Sequence, residues 1–261
     1  MSDTYQEEIK RCCRQLRLSA SLAERAQTTL GGNNQEFLYN LLRDEVAYRR
    51  KQRIGKLINA AGFPRTYHFS QFRDNEVDFQ GLCSVQSLQS LEFREKGLNL
   101  IMYGGTGTGK TMLSICIGIR LCEEGIPVKF YRTAALINQL SEHKKAGALS
   151  KLFKKLNKAE VLILDEFGYV PYDRVGSQLL FDYLSEIHEK KIVILNTNLE
   201  FSRWVNVLYD EQMTAALIGR LTHHCHLILF PGGNNRLRES SLNETYHEIA
   251  ARNRTEEKDH D

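Results

Sequence analysis

The sequence predicts an α/β fold, a five-stranded parallel sheet flanked by helices, preceded by a small all-α domain. Three observations carry that reading. From residue 98 onward, five short apolar runs are separated by segments of helical period, the pattern of strands covered on both faces by crossover helices. The first run passes directly into Gly104-x-x-x-x-Gly109-Lys110-Thr111, a glycine-rich loop between a strand and a helix. Residues 1 to about 65 contain no strand-like alternation.

A chain of 261 residues, 42% hydrophobic and 26% charged, can bury one sizeable core and carry a smaller appendage. Its net charge of +3 is too small to identify a polyanionic partner, so local charge must carry that argument. No apolar run is long enough to span a bilayer, and Met1 to Glu8 has no signal-peptide core; no membrane partner and a cytoplasmic location are expected. Cys12, Cys13, Cys83, Cys116, Cys122 and Cys225 form no C-x-x-C pair, which fits reduced packing residues.

The N-terminal domain, residues 1–65, starts with Ile9, Cys13, Leu16 and Ala20 at helical spacing. After a break at Gly31 to Asn34, the apolar series Phe37, Leu38, Leu41, Leu42, Val46, Ile54, Leu57 and Ile58 runs up to Gly62-Phe63-Pro64. This domain holds twelve basic against seven acidic residues, an excess of +5 that exceeds the whole chain's. Arg49, Arg50, Lys51, Arg53 and Lys56 crowd one stretch of helix, which suits a DNA phosphate backbone and equally a solvated helix face. Residues 66–97 form a connecting segment whose aromatic residues (Tyr67, Phe69, Phe72, Phe79) suit docking onto the next domain, with a helix over Val85 to Phe93.

The core domain is expected over 98–242. Its strands fall at 98–103, 128–131, 161–164, 192–195 and 226–230, and its helices follow the glycine-rich loop and lie around 134–143, 149–156, 178–188 and 215–219. Ligands of such a sheet belong at the carboxyl ends of its strands. Residues 243–261 read as a charged tail.

The chemistry follows from those strand ends. The loop Gly104, Gly105, Thr106, Gly107, Thr108 and Gly109 can turn its N–H groups onto phosphate oxygens, and the helix beginning with Lys110, Thr111 and Met112 points its positive end at them. Lys110 would reach the β- and γ-phosphates of ATP, and Thr111 would ligate Mg²⁺. The second strand end, Val161-Leu162-Ile163-Leu164-Asp165-Glu166, sets Asp165 on Mg²⁺ and Glu166 as the base that activates water. A water-activating acid points to an ATPase rather than a small-molecule phosphotransferase, which needs an acceptor pocket instead. The third strand end, Ile192 to Leu199, offers Asn198, with Asn196 second, to orient that water and sense the γ-phosphate; a strand-ending Asn-Thr-Asn turn is the competing reading. His223-His224-Cys225-His226 is not read as a metal site, because consecutive side chains diverge and cannot close a tetrahedral shell.

These motifs, with Ala215 to Cys225 and the Phe63-Pro64 junction, resemble the AAA+ ATPases of the IstB/DnaC type, nearest to the IstB helper ATPases of insertion-sequence transposases. The resemblance implies an AAA+ P-loop NTPase without a C-terminal helical lid. It also implies that Arg220 completes the nucleotide site of a neighbouring subunit, although Gly219 stands where the family usually has Asp. Asn234 and Asn235 replace the family's Ser and Tyr before Arg236, whose part as a phosphate sensor is left open. The function implied is an ATP-driven homo-oligomer that assembles on double-stranded DNA and hands it to a transposase. A loader of replicative helicase is the alternative within the same type, and a P-loop scaffold that does not hydrolyse ATP is the alternative outside enzymology.

Overall fold

The computed structural model describes residues 2–81, 83–169 and 172–233. The chain divides into two units, Met1–Leu57 and Ile58–Asp261. The first contains α1 (Ser2–Gln15), α2 (Leu22–Thr28) and most of α3 (Asn34–Ala61). Its interior is small: Cys13, Leu22 and Ala23 are buried, and so is Glu45, at 3% exposure. Leu38, Leu42 and Val46, expected to line the buried face of a long amphipathic helix, are exposed. The physical reason is that α3 is engaged through Glu45, which faces the turn between α1 and α2 and leaves that apolar stripe uncovered.

Glu45 accepts hydrogen bonds from the Ser19 amide (2.7 Å) and from Arg49 (2.8 Å), and it also pairs with Arg25 and the Ser19 hydroxyl. Burial pushes its carboxyl pKa up, but the donors on Ser19, Arg49 and Arg25 outweigh burial and hold it below its ordinary 4.5. A lowered pKa in the folded state contributes stability above the ordinary value and loses it as the pH falls through the folded one. Acidification below pH 4.5 is therefore expected to loosen this unit. Glu45→Gln should destabilise it by roughly 3 kcal/mol, because Arg25 is left without its counter-charge. Faster amide exchange confined to residues 2–57 of the full chain is the measurement that checks this.

The unit boundary falls inside α3 rather than at residue 65. The last turn of α3 belongs with the sheet: Lys129 Nζ donates to Ala60 O, and the Phe63 ring meets Phe130 edge-on at 6.0 Å. Next come α4 (Val85–Ser90) and α5 (Glu92–Glu95), two helices where one was expected. Leu91 takes a left-handed conformation (φ 66°) with its side chain buried, and this ends the first before the second begins.

The sheet unit then alternates β1 (Asn99–Gly104), α6 (Lys110–Glu123), β2 (Val128–Arg132), α7 (Thr133–Lys145), α8 (Leu149–Leu156), β3 (Val161–Phe167), α9 (Arg174–Ile187), β4 (Ile192–Thr197), α10 (Val205–Leu208), α11 (Glu211–Thr222) and β5 (Cys225–Phe230). Five parallel strands lie in the order β2-β3-β4-β1-β5, with Leu100, Met102, Ile163, Leu164, Ile194 and Leu195 fully buried. This is the predicted sheet. Burial on both faces explains why each strand reads as a continuous apolar run. The order puts β1 beside β4 and β4 beside β3, so the three strand ends singled out in the sequence adjoin one another. The connecting segment closes the outer edge of β5 through paired amide bonds between Asp78 and Leu229.

Burial pushes the Cys116 thiol up to about 12 and that of Cys122 to about 11, so both stay protonated packing groups. Among the described residues no helix is long and apolar enough to cross a membrane. Arg236 and the expected tail 243–261 lie outside the described residues.

Candidate nucleotide site

The glycine-rich loop begins where β1 ends. Gly104 has φ 155°, and a Cβ there would stand 2.3 Å from Phe230 O, so only glycine lets β1 stay paired with β5 while the chain turns away. Thr108 closes the loop by donating to Gly105 O (2.9 Å), and Gly105 and Thr106 are exposed at its tip. Lys110 Nζ donates to Gly104 O (2.6 Å) and Gly105 O, which holds the ammonium over the loop opened by α6. Thr111 and Met112 follow in the first turn of that helix, partly exposed.

Beneath the loop, Thr111 Oγ1 lies 3.0 and 3.1 Å from the two carboxylate oxygens of Asp165, which is 4% exposed. Asn196 Nδ2 donates to Asp165 Oδ1 (2.8 Å) and to Ser114 Oγ (2.9 Å). Asn196 Oδ1 is buried with no hydrogen-bond partner. Hydroxyl and carboxylate oxygens are the donor set a hydrated Mg²⁺ takes, and the orphaned Asn196 oxygen is an acceptor that a metal-bound water would satisfy. The residues present therefore fit the ion.

Glu166 sits differently. The β3–β4 register shifts between Leu164 and Phe167, and Glu166 has φ 56°, so the strand bulges at this residue and presents its carboxylate outside the sheet. There it faces Arg132 Nε at 3.6 Å, both side chains about half exposed. Such a pair contributes at most about 1 kcal/mol and is readily exchanged for another partner. Asn198 is exposed just past the end of β4. The structure thus gathers Lys110, Thr111, Asp165 and Asn196, and leaves Glu166 and Asn198 on the rim.

Arg220 lies at the other end of the sheet. It lines a cavity of about 420 Å³ with Asn99, Glu160, Lys190, Ile192 and His224, at the amino ends of β1, β3 and β4, and its guanidinium stacks over Phe181 at 5.3 Å. From Asn99 to Gly104, a strand rise of roughly 3.3 Å per residue separates this cavity from the phosphate loop of the same chain by about 17 Å.

Of the five basic residues singled out in α3, Arg49 is tied to Glu45, while Arg50, Lys51, Arg53 and Lys56 are exposed. A second basic surface was not singled out from the sequence: Lys144, Lys145, Lys151, Lys154, Lys155 and Lys158, on and beside α7 and α8, are all exposed, whereas Leu152 and Leu156 of α8 are buried. The signal was available as a run without a single acid from His143 to Ala159.

A family model described as IstB-like ATP binding protein matches residues 14–243. The chain belongs to that family. Among its relatives, the protein named as the ATP-binding protein of insertion sequence IS5376 from Geobacillus stearothermophilus is 30% identical over 244 residues, covering 91% of this chain and 97% of the relative. The one named for insertion sequence IS21 from Pseudomonas aeruginosa is 33% identical over 210 residues, covering 79% and 78%. Two solved structures of the replication initiator DnaA share the fold. The AMPPCP-bound protein from Aquifex aeolicus has a TM-score of 0.53 at 18% identity, over 69% of this chain and 57% of that one. The initiator bound to AMPPCP and single-stranded DNA has a TM-score of 0.55 at 18% identity, over 70% and 56%. This chain therefore spans little more than half the length of those initiators. With its P-loop and acidic strand end, this IstB-like protein is an AAA+ ATPase.

Proposed function

We propose that this IstB-like ATPase assembles on double-stranded DNA with Mg²⁺-ATP bound, presents that DNA to the transposase of its own insertion sequence in the cytoplasm, and disassembles when ATP is hydrolysed. Lys110 and the loop Gly104 to Gly109, with Thr111 and Met112, hold the polyphosphate. Thr111 and Asp165 would hold Mg²⁺, which would supply positive charge beside the phosphates. Glu166 takes the proton of the attacking water, and Asn198 orients that water from the rim. The insertion-sequence names of the relatives support the transposition setting, and the exposed lysines of α7 and α8, with Arg50, Lys51, Arg53 and Lys56, support contact with a DNA backbone.

The observation that carries the assembly is the position of Arg220, about 17 Å along the strands from its own phosphate loop. An arginine there is of no use to its own ATP, and a head-to-tail neighbour could receive it. Arg220→Ala should therefore keep ATP affinity and lose turnover by about a thousandfold. Mixing that variant with Lys110→Ala, which binds no ATP but still carries Arg220, should restore part of the activity.

Mass in solution by light scattering, with Mg²⁺-ATP or ADP and with or without duplex DNA, tests the whole reading. A large multimer formed with ATP on DNA and lost with ADP is expected. A monomer in all four conditions overturns it. A stoichiometric complex with a replicative helicase, and none with the transposase, would make the protein a helicase loader.

A further inference from the structure

The β3–β4 ladder skips the residue that carries the rim carboxylate: its register shifts between Leu164 and Phe167 and resumes with Phe167 opposite Thr197. Side chains reinforce the ladder where it resumes. Thr197, 2% exposed, donates its hydroxyl to Phe167 O (2.9 Å), and its own Oγ1 accepts from the Leu199 amide (3.0 Å). Trp204, the chain's single tryptophan, is fully buried; it lays its ring against Phe167 at 4.3 Å between centroids and donates Nε1–H to Leu199 O (3.1 Å). Gly168 completes the junction. At φ 77° it lets Leu199 approach so closely that a Cβ would stand 2.9 Å from Leu199 Cδ2.

Phe167 directly follows Glu166, and Leu199 directly follows Asn198. One threonine hydroxyl, and one indole that bonds Leu199 and packs on Phe167, therefore tie together the residues behind the two rim groups, just past the bulge in the ladder. Packing alone does not require this. A valine at 197 and a phenylalanine at 204 would fill nearly the same space beside Phe167, Tyr172, Phe201 and Val207, so shape does not account for the hydroxyl and the indole N–H, whose bonds also satisfy backbone groups of Phe167 and Leu199.

We propose that Thr197 and Trp204 are positioning residues for hydrolysis: they hold the ends of β3 and β4 together and so set the distance between the water-activating carboxylate and the asparagine that orients the water. The inference rests on the roles given to Glu166 and Asn198 above. Positioning acts on the chemical step and not on ATP affinity, which belongs to the phosphate loop and Asp165.

Thr197→Val keeps the shape and removes the hydroxyl, and should lower kcat by about 10- to 100-fold. Its KM and its affinity for a fluorescent ATP analogue should stay within about twofold of wild type, since a displaced rim group costs rate and not binding. Thr197→Ser, which restores the hydroxyl, should recover kcat to within about threefold. Trp204→Phe, which keeps a ring and loses the N–H, should show the same split in smaller measure. A wild-type kcat in both Thr197→Val and Trp204→Phe overturns the proposal. So does a joint fall of kcat and affinity in both that Thr197→Ser does not reverse, the mark of a merely structural part. Glu166→Gln keeps the two readings apart: unchanged turnover in that variant removes the assignment of the site itself, whereas lost turnover beside a fully active Thr197→Val removes only the positioning role.

Discussion

Lys110→Ala is expected to fold normally and to lose ATP. The Lys110 ammonium already lies over the loop, bonded to Gly104 O and Gly105 O, where phosphate oxygens would compete for it. Bonds from an ammonium to phosphate are charge-assisted, and truncating one partner of such a pair costs roughly 2–5 kcal/mol, a loss of affinity between about thirtyfold and several thousandfold. Thermal unfolding separates binding from folding. At an ATP concentration near a hundred times its dissociation constant, the wild type should gain about 2.7 kcal/mol, a rise in Tm of about 5–10 °C, and the variant about 0.9 kcal/mol or less. Without nucleotide the two should melt alike. A full ATP-dependent shift in Lys110→Ala would mean that the phosphates bind elsewhere.

Glu166→Gln should do the opposite, keeping ATP and losing turnover by about 10²- to 10⁴-fold, the range a positioned general base supplies. The substitution is close to isosteric, and the pair it weakens, Glu166 with Arg132, is half exposed. Stability should change by less than about 1 kcal/mol. If hydrolysis dissolves the assembly, this variant should accumulate as a long-lived multimer on DNA in Mg²⁺-ATP, measurable by the same light scattering. Together the two variants bracket the switch, one unable to enter the ATP state and the other unable to leave it.

Much of the site was legible because its motifs are local. The loop from Gly104 to Thr111 works through backbone and first-turn groups contiguous in sequence, and Asp165 with Glu166 ends a strand whose apolar run announces it. The same locality explains what went unread. Asn196 and Asn198 are equivalent in the string, and only the packing of β4 beside β3 commits Asn196 to Asp165 and leaves Asn198 on the rim. The helical period of α3 predicted a buried apolar face, yet Leu38, Leu42 and Val46 are exposed, because periodicity says which residues share a face and not what covers it. Trp204 lay in no motif and Thr197 only between two asparagines, since Phe167, which both meet, comes from another strand.

The sequence by itself determined the parallel sheet, the order of its elements along the chain, the phosphate loop and the family. All of these follow from residue type and from spacing over a few neighbours, where the backbone permits few alternatives. Tertiary structure alone decided that the ends of β1, β3 and β4 adjoin, that Glu166 leaves the ladder beside Arg132, and that Arg220 faces away from its own phosphate loop. Those facts depend on which strands become neighbours after each crossover, and strand order is set by the packing of the whole core rather than by any short stretch of chain.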